Sequence, residues 1–204
     1  MRVLVACEYS GRVRDAFAAR GHEAVSCDIL PTDVPGPHHQ GDVRDILGDG
    51  WDLMVAHPPC THLAVSGARW FKHKQAEQAE ALDFVRLLMA APIERIAIEN
   101  PVSIISSRIR RPDQIIQPWQ FGHGETKATC LWLKNLPPLT PTDIVDGREN
   151  KVHRMPPGPD RLEAPLAHLL GHRRSDGAAV GITCTCRRER RTVPAHLTRQ
   201  GHQP

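Results

Sequence analysis

Short apolar runs alternate with helix-spaced apolar residues along the first two thirds of the chain. Strands are predicted where an apolar run ends at a turn, at residues 2–7, 24–29, 52–56, 95–98 and 129–133, with a further short strand at 41–43. Helices are predicted at 13–20, which Gly21 ends, and at about 75–91, where apolar residues recur every three or four positions. This alternation predicts an α/β fold, a doubly wound, mostly parallel sheet with ligands bound at the carboxyl ends of its strands.

The C-terminal quarter of the chain differs in composition from the rest. Residues 1–147 hold 15 Lys and Arg against 18 Asp and Glu, whereas residues 148–204 hold 11 against 5. All nine aromatic residues lie at or before Trp132, so the last segment lacks the side chains that contribute most to a core. We therefore expect one domain over residues 1–147 and a basic, irregular tail over 148–204.

Composition also excludes several classes of protein. No run of eighteen apolar residues occurs, so no membrane span is predicted. The N-terminus becomes polar after seven residues, which is too soon for a signal peptide. Six scattered cysteines without small-scaffold spacing indicate a reducing cytosol. Cys184 and Cys186 lack a second pair of ligands, so no metal site is predicted.

The turn after the first predicted strand and the end of the second carry groups that suit a nucleotide-like ligand. Gly11 allows a ligand to approach the backbone closely, and Asp28 can accept hydrogen bonds from ribose hydroxyls. A tight turn beside a solvated acid explains the same residues. Both interpretations stay open at this point.

Two further strand ends carry reactive groups. Cys60 follows the fourth strand and is preceded by two rigid prolines, and its thiol is a candidate nucleophile. The other cysteines of the first domain are expected to be buried structural residues within strands: Cys7, Cys27 and Cys130. Glu99 follows the fifth strand, as a candidate acid or as the cap of a helix that begins near residue 102. A thiol and a carboxyl at neighbouring strand ends indicate a catalytic site more strongly together than either does alone.

These residues resemble the DNA (cytosine-5) methyltransferases, which use S-adenosylmethionine. That family places a Pro-Cys nucleophile after its fourth strand and a Glu-Asn pair about forty residues on, as Pro59-Cys60 and Glu99-Asn100 stand here. Residues 121–133 (FGHGETKATCLWL) look like a degenerate form of its eighth motif. The similarity covers roughly residues 1–140 and is strongest to a compact subset from bacteriophages and prophages.

The resemblance implies a class I methyltransferase fold and roles for several residues. Cys60 would add to C6 of cytosine and Glu99 would hydrogen-bond or protonate N3, while Asn100 supports the catalytic loop. Pro59 would shape the pocket, and Lys127 stands where the family's eighth motif supplies arginines. Ser10 and Gly11 would approach the methionine end of S-adenosylmethionine, Asp28 would hold the ribose, and Asp42 would accept from the adenine amino group.

DNA is the expected partner, in the cytoplasm of a bacterium or of a phage-infected cell. Because a duplex hides its bases, the target cytosine must be flipped out of the stack into the cavity. Residues 61–74 are expected to form a loop that assists this step, with Ser66 in its pliable centre and Arg69 in contact with DNA phosphates. An ordinary solvated loop is the alternative. No room remains after Leu133 for the family's long target-recognition region, so sequence preference is expected to be short or absent.

Two other functions remain open. Residues 56–60 (AHPPC) can be a variant of the Pro-Pro-aromatic motif of N4-amino methyltransferases, although His57 and Cys60 suit it poorly. The chain can also be a non-catalytic DNA-binding remnant whose basic tail adds electrostatic affinity.

The remnant hypothesis gains from the tail itself. Permitted codons for residues 162–181, read one base later, spell the Trp-Lys-Arg-Arg-Ser-Arg-Thr-Tyr segment that the compact relatives carry. We therefore hypothesise that the chain is out of frame after about Arg161.

Overall fold

The computed structural model describes residues 1–147, whose strands form one sheet. The strands are β1 (Arg2–Ala6), β2 (Glu23–Asp28), β3 (His38–Gln40), β4 (Leu53–Ala56), β5 (Arg95–Pro101), β6 (Gln114–Ile116) and β7 (Thr129–Lys134). They lie in the order β3-β2-β1-β4-β5-β7-β6. The first five run parallel, and β7 lies antiparallel between β5 and β6. The predicted Rossmann-like, doubly wound and mostly parallel α/β sheet is confirmed.

The helices connect these strands. They are α1 (Arg12–Ala18), α2 (Gln75–Met89) and the one-turn α3 (Ile105–Arg108), with 3-10 turns at Val43–Asp45, Val65–His73 and Pro118–Gln120. The two predicted helices are confirmed to within two residues at each end. The helix expected near residue 102 is α3, which begins three residues later, at Ile105. The sequence pattern did not predict β6, because three residues are too few to show a period.

Both faces of the sheet are buried, and alternate residues of each central strand serve opposite faces. On one face, β1 and β4 pack in the same cluster as α2; this cluster includes Leu4, Ala6, Met54, Ala56, Leu82, Val85 and Leu88. On the other face they pack against α1, through Val3, Val5, Leu53, Val55, Val13 and Phe17. Burial on both faces explains why these strands are continuous apolar runs in the sequence.

The third strand lies three residues before the predicted one at 41–43. His38–Gln40 pairs with Ser26–Asp28, and the His38 ring lies 2.9 Å from Ser26 Oγ through Nδ1 and 3.0 Å from the Leu30 carbonyl through Nε2. His38 and His39 therefore belong to a strand at the edge of the sheet. Asp42 instead caps a 3-10 turn, since its carboxylate accepts from the Arg44 backbone N–H at 2.9 Å.

Strand β5 extends three residues beyond its predicted end. Its pairing with β4 ends at Ile98, opposite Ala56, but its pairing with β7 continues to Pro101, opposite Thr129. Glu99 and Asn100 therefore lie inside β5 rather than after it, and Glu99 does not cap the next helix, whose N-cap is Ile104. Both residues extend beyond the end of β4, where their side chains have room for a ligand.

None of the helices within residues 1–147 is long and apolar enough to cross a membrane. The predictions made for residues 148–204, including the basic tail, the change of reading frame after about Arg161 and the Cys184–Cys186 pair, lie outside the described residues.

Candidate active site

A cavity of about 570 Å³ opens at the carboxyl edge of the sheet. It lies at the point where the strand order reverses, since the chain proceeds from β1 to β2 and β3 on one side and to β4 and β5 on the other. At such a point the segments that leave neighbouring strands diverge and leave a crevice. The cavity is lined by residues that follow β1 and β4, among them Cys7, Tyr9 and His57, and by the last residues of β5.

Seven of the eleven predicted site residues line this cavity: Asp28, Asp42, Pro59, Cys60, Glu99, Asn100 and Lys127. The other four, Ser10, Gly11, Ser66 and Arg69, are not among its lining residues. Ser66 and Arg69 are exposed on the 3-10 turn Val65–His73. Direct contact of these four residues with a ligand stays a prediction.

The first turn is organised by Glu8, which sequence reasoning did not single out. Its carboxylate is buried and accepts hydrogen bonds from the backbone N–H groups of Val13, at 2.6 Å, and Arg14, at 3.2 Å. These are amides at the start of α1 that have no partner within the helix. The Ser10 hydroxyl donates to the same carboxylate at 3.1 Å. Ser10 is thus engaged in holding the helix start.

Gly11 leaves space for the side chain of a neighbouring arginine. Its φ of 72° lies in the left-handed region, and a Cβ there would lie 2.5 Å from Arg14 Nη2. The Arg14 side chain is fully buried and pairs with Asp15 at 2.8 Å. Its guanidinium also reaches Ser26, Thr32, Val34 and Pro35 at 3.3–3.4 Å. Arg14 therefore holds residues 32–35 in place, and this segment directly follows Ile29 and Leu30, which line the cavity.

Cys60 lies among charged groups that act on its thiol in opposite directions. Burial raises the pKa of the Cys60 thiol above its usual value, Glu99 raises it further, and Lys127 lowers it. Burial lowers the pKa of Lys127, against the charges of Glu99, Cys60 and Glu125, which raise it. The thiol is therefore protonated in the unliganded protein at neutral pH, and Lys127 is the cation that favours its thiolate.

The loop that carries Cys60 is attached to β5 by Asn100. The fully buried Asn100 donates from Nδ2 to the Pro58 carbonyl at 2.8 Å. One residue before Asn100, Glu99 Oε2 lies 3.4 Å from His57 Nδ1. The neighbouring strands β4 and β5 thus contact each other through two side chains directly beside the candidate nucleophile.

The other side of the cavity is more apolar and carries two acids. Asp28 ends β2 and is followed by Ile29 and Leu30, whose side chains are 75% and 49% exposed. Asp42 pairs with Arg44 at 2.9 Å, and the Arg44 guanidinium lies 5.5 Å from the centre of the Phe84 ring. Exposed apolar side chains next to carboxylates suit a ligand with a flat ring and hydroxyl groups.

Cys7 departs from its prediction as a buried strand cysteine. It follows β1, has a φ of 58°, is only partly buried and lines the cavity. Burial and the charge of Asp28 raise the pKa of its thiol to about 12, so it stays protonated beside the cavity. Cys27 and Cys130 are buried in strands as predicted.

His57, Ile29 and Phe84 also line the cavity and were not predicted as site residues. His57 could have been found from the sequence, because it directly follows the fourth strand, at an edge where ligands bind. No group of three or more His, Cys, Asp or Glu side chains within the described part of the chain is arranged to hold a metal ion.

Comparison with known proteins identifies the fold. No family model and no curated protein matches the chain. Among solved structures, it is similar to an E. coli protein described as a DNA modification methyltransferase encoded within a prophage, with a TM-score of 0.51 and 16% identity. The match covers 72% of this chain and 53% of that one, so the chain spans about half the length of this structural relative. The chain has a methyltransferase-like α/β fold.

Proposed function

We propose that this protein transfers a methyl group from S-adenosylmethionine to C5 of cytosine in DNA through a covalent adduct on Cys60. One observation carries the proposal: Cys60, in the loop after β4, and Glu99, in β5, line one cavity together with Lys127, and the charges of the three groups act on one another. The fold shared with a DNA modification methyltransferase supports methyl transfer to DNA in general.

The residues of the more apolar side fit S-adenosylmethionine. The exposed Ile29 and Leu30 offer apolar contact for adenine, and Asp28 has carboxylate oxygens for ribose hydroxyls. Asp42 can still accept from an amino group, because each carboxylate oxygen that bonds Arg44 keeps a second lone pair. S-adenosylmethionine, when bound, supplies an electrophilic methyl group on a sulfonium sulfur.

Cys60 and Glu99 provide the groups that cytosine requires, because C5 of the ring is a poor nucleophile. The Cys60 thiol loses its proton to water, and the thiolate adds to C6 while the Glu99 carboxyl gives its proton to N3. The electrons displaced from the ring are thereby stabilised and C5 becomes nucleophilic. Lys127 favours the thiolate that begins this step.

The remaining steps restore both side chains. Bound S-adenosylmethionine would supply the methyl group to C5, with loss of its bond to the sulfonium sulfur. Water removes the C5 proton, Cys60 leaves C6 with the bonding electrons, and the N3 proton returns to Glu99. The target base must leave the stack to reach Cys60, because a base inside a duplex cannot enter the cavity.

A trapping experiment tests the proposal. In DNA that contains 5-fluorocytosine, fluorine cannot leave C5 as a proton does, so the adduct persists on a denaturing gel. We expect the full chain with S-adenosylmethionine to form this adduct, Cys60→Ser to form none, and Cys130→Ala, which removes a buried thiol from β7, to retain it. Methylation retained by Cys60→Ser would contradict the proposal.

Two other results point to the alternative functions. N4-methylcytosine in the nucleosides of treated DNA, found by mass spectrometry, would favour the amino-methyltransferase interpretation. Salt-sensitive DNA binding with no binding of S-adenosylmethionine would favour a non-catalytic remnant.

A further inference from the structure

We infer that His57 is a positioning residue that holds the Glu99 carboxyl for proton transfer to the base. The inference rests on the proposed cytosine chemistry. Its starting observation is the approach of His57 Nδ1 to Glu99 Oε2, at 3.4 Å, between side chains that are only 8% and 15% exposed. Both residues line the cavity that contains Cys60.

The sheet itself brings these residues together. Ala56 of β4 lies opposite Ile98 of β5 in parallel register, so His57 and Glu99 are the next residues along two adjacent strands. The His57 backbone N–H continues the ladder by donating to the Ala6 carbonyl at 2.9 Å, and two prolines follow it. The backbone that carries the imidazole is therefore rigid on both sides.

The His57 imidazole makes one side-chain hydrogen bond within the described residues. Its Nε2 is buried without a hydrogen-bond partner among them, so Nδ1 makes the only hydrogen bond of the side chain there. The hydrogen bond that one ring nitrogen makes determines which nitrogen carries the proton. A carboxylate facing Nδ1 therefore selects the form in which Nδ1–H donates to Glu99.

This arrangement divides the work between the two carboxyl oxygens. Oε2 faces His57, which leaves Oε1 to give its proton to N3 of cytosine. When that proton has gone, the Nδ1–H donor stabilises the carboxylate that remains, and the proton returns to Oε1 when Cys60 leaves C6. Preorganised donors at the place where charge develops are an effective means of lowering a barrier. His57 thus acts through Glu99 and does not touch the base.

A double-mutant cycle on methyl transfer tests this role. We expect His57→Ala to lower kcat roughly 30-fold with each KM changed less than about 2-fold, and His57→Asn, which keeps an N–H donor near the position of Nδ1, to recover most of the loss. In the Glu99→Gln background the His57→Ala change is expected to cost less than about 2-fold, because its target is gone. The matched control is His22→Ala, at the amino edge of the sheet. Additive losses, or no recovery by asparagine, would overturn the inference.

A measurement without turnover separates this inference from the proposed function. In ¹⁵N spectra of the full chain above the titration range of histidine, we expect the His57 proton on Nδ1, and on Nε2 once Glu99 is replaced by alanine. A proton on Nε2 in both proteins would overturn the inference alone. If Nδ1 carries the proton but the wild-type chain methylates no cytosine, the proposed function fails, and the catalytic role of His57 fails with it.

Discussion

Replacement of Asn100 by alanine tests whether β5 holds the loop of the candidate nucleophile. The substitution removes the amide that donates to the Pro58 carbonyl at 2.8 Å, two residues before Cys60. Asn100 is 1% exposed, so water cannot readily replace the lost donor. Further along, the same loop is held to the segment after β5 by the Val65 N–H, which donates to the Val102 carbonyl at 3.1 Å, so the Asn100 contact is the one that lies next to Cys60.

The expected loss of stability follows from two opposing contributions. A buried carbonyl left without a donor costs about 1–3 kcal/mol. Against this, alanine also removes Asn100 Oδ1, a buried oxygen with no partner among the described residues. We therefore expect the free energy of unfolding to fall by about 1–2 kcal/mol, near the lower part of that range. For a chain of this size the corresponding fall in Tm is roughly 2–8 °C.

Urea denaturation measures this loss, and the rate of adduct formation with 5-fluorocytosine DNA measures the effect on Cys60. We expect the adduct rate to fall roughly tenfold, because a small displacement of a nucleophile is costly to reaction rate. Ser107→Ala is the matched control, since it removes an exposed side-chain bond to the Ile104 carbonyl and should change stability by less than about 0.5 kcal/mol. A stability change for Asn100→Ala no larger than that of the control, with an unchanged adduct rate, would refute the reasoning.

Two further substitutions test the electrostatics and the cavity wall. Lys127→Met removes the charge that lowers the pKa of Cys60. The rate of Cys60 alkylation by iodoacetamide should therefore rise at higher pH than in the wild-type chain, and the rate at pH 8 should fall roughly threefold. A shift of this rise to lower pH would contradict the reasoning. Arg14→Met leaves Ser26, Thr32 and two carbonyls without their shared donor, so urea denaturation should show the free energy of unfolding lowered by about 3 kcal/mol. The ion pair with Asp15 contributes little to this loss, because the Asp15 side chain is 55% exposed. A loss below about 1 kcal/mol for Arg14→Met would show that the segment is held by other contacts.

The apolar pattern predicted most of the sheet because strands buried on both faces must be apolar throughout. That reasoning located β1, β2, β4, β5 and β7 and failed for β3. Its sequence, His38-His39-Gln40, carries no apolar run, and its place in the sheet depends on pairing with β2 and on the bonds of the His38 ring.

In the candidate site too, the positions that depend on local sequence could be predicted and those that depend on tertiary contacts could not. Cys60 and Glu99 could be predicted to share one edge of the sheet because each comes after an apolar run, although β5 itself continues past Glu99. The bonds of Glu8 to the start of α1, of Arg14 to Ser26 and of His57 to Glu99 could not be predicted, because each depends on how separate elements pack in the folded chain. A polar residue whose role is to hold another element leaves no periodic signal in the sequence.

The first turn illustrates how these tertiary contacts alter the site. Because the Glu8 carboxylate takes up the first amides of α1 and the Ser10 hydroxyl, the turn packs back onto the helix start. The residues after β1 that line the cavity are instead Cys7 and Tyr9. A ligand that fills this part of the cavity contacts these two residues. In other nucleotide-binding sheets a glycine-rich turn lets the backbone approach the ligand closely, whereas here Gly11 is not among the lining residues and Cys7 and Tyr9 take that place.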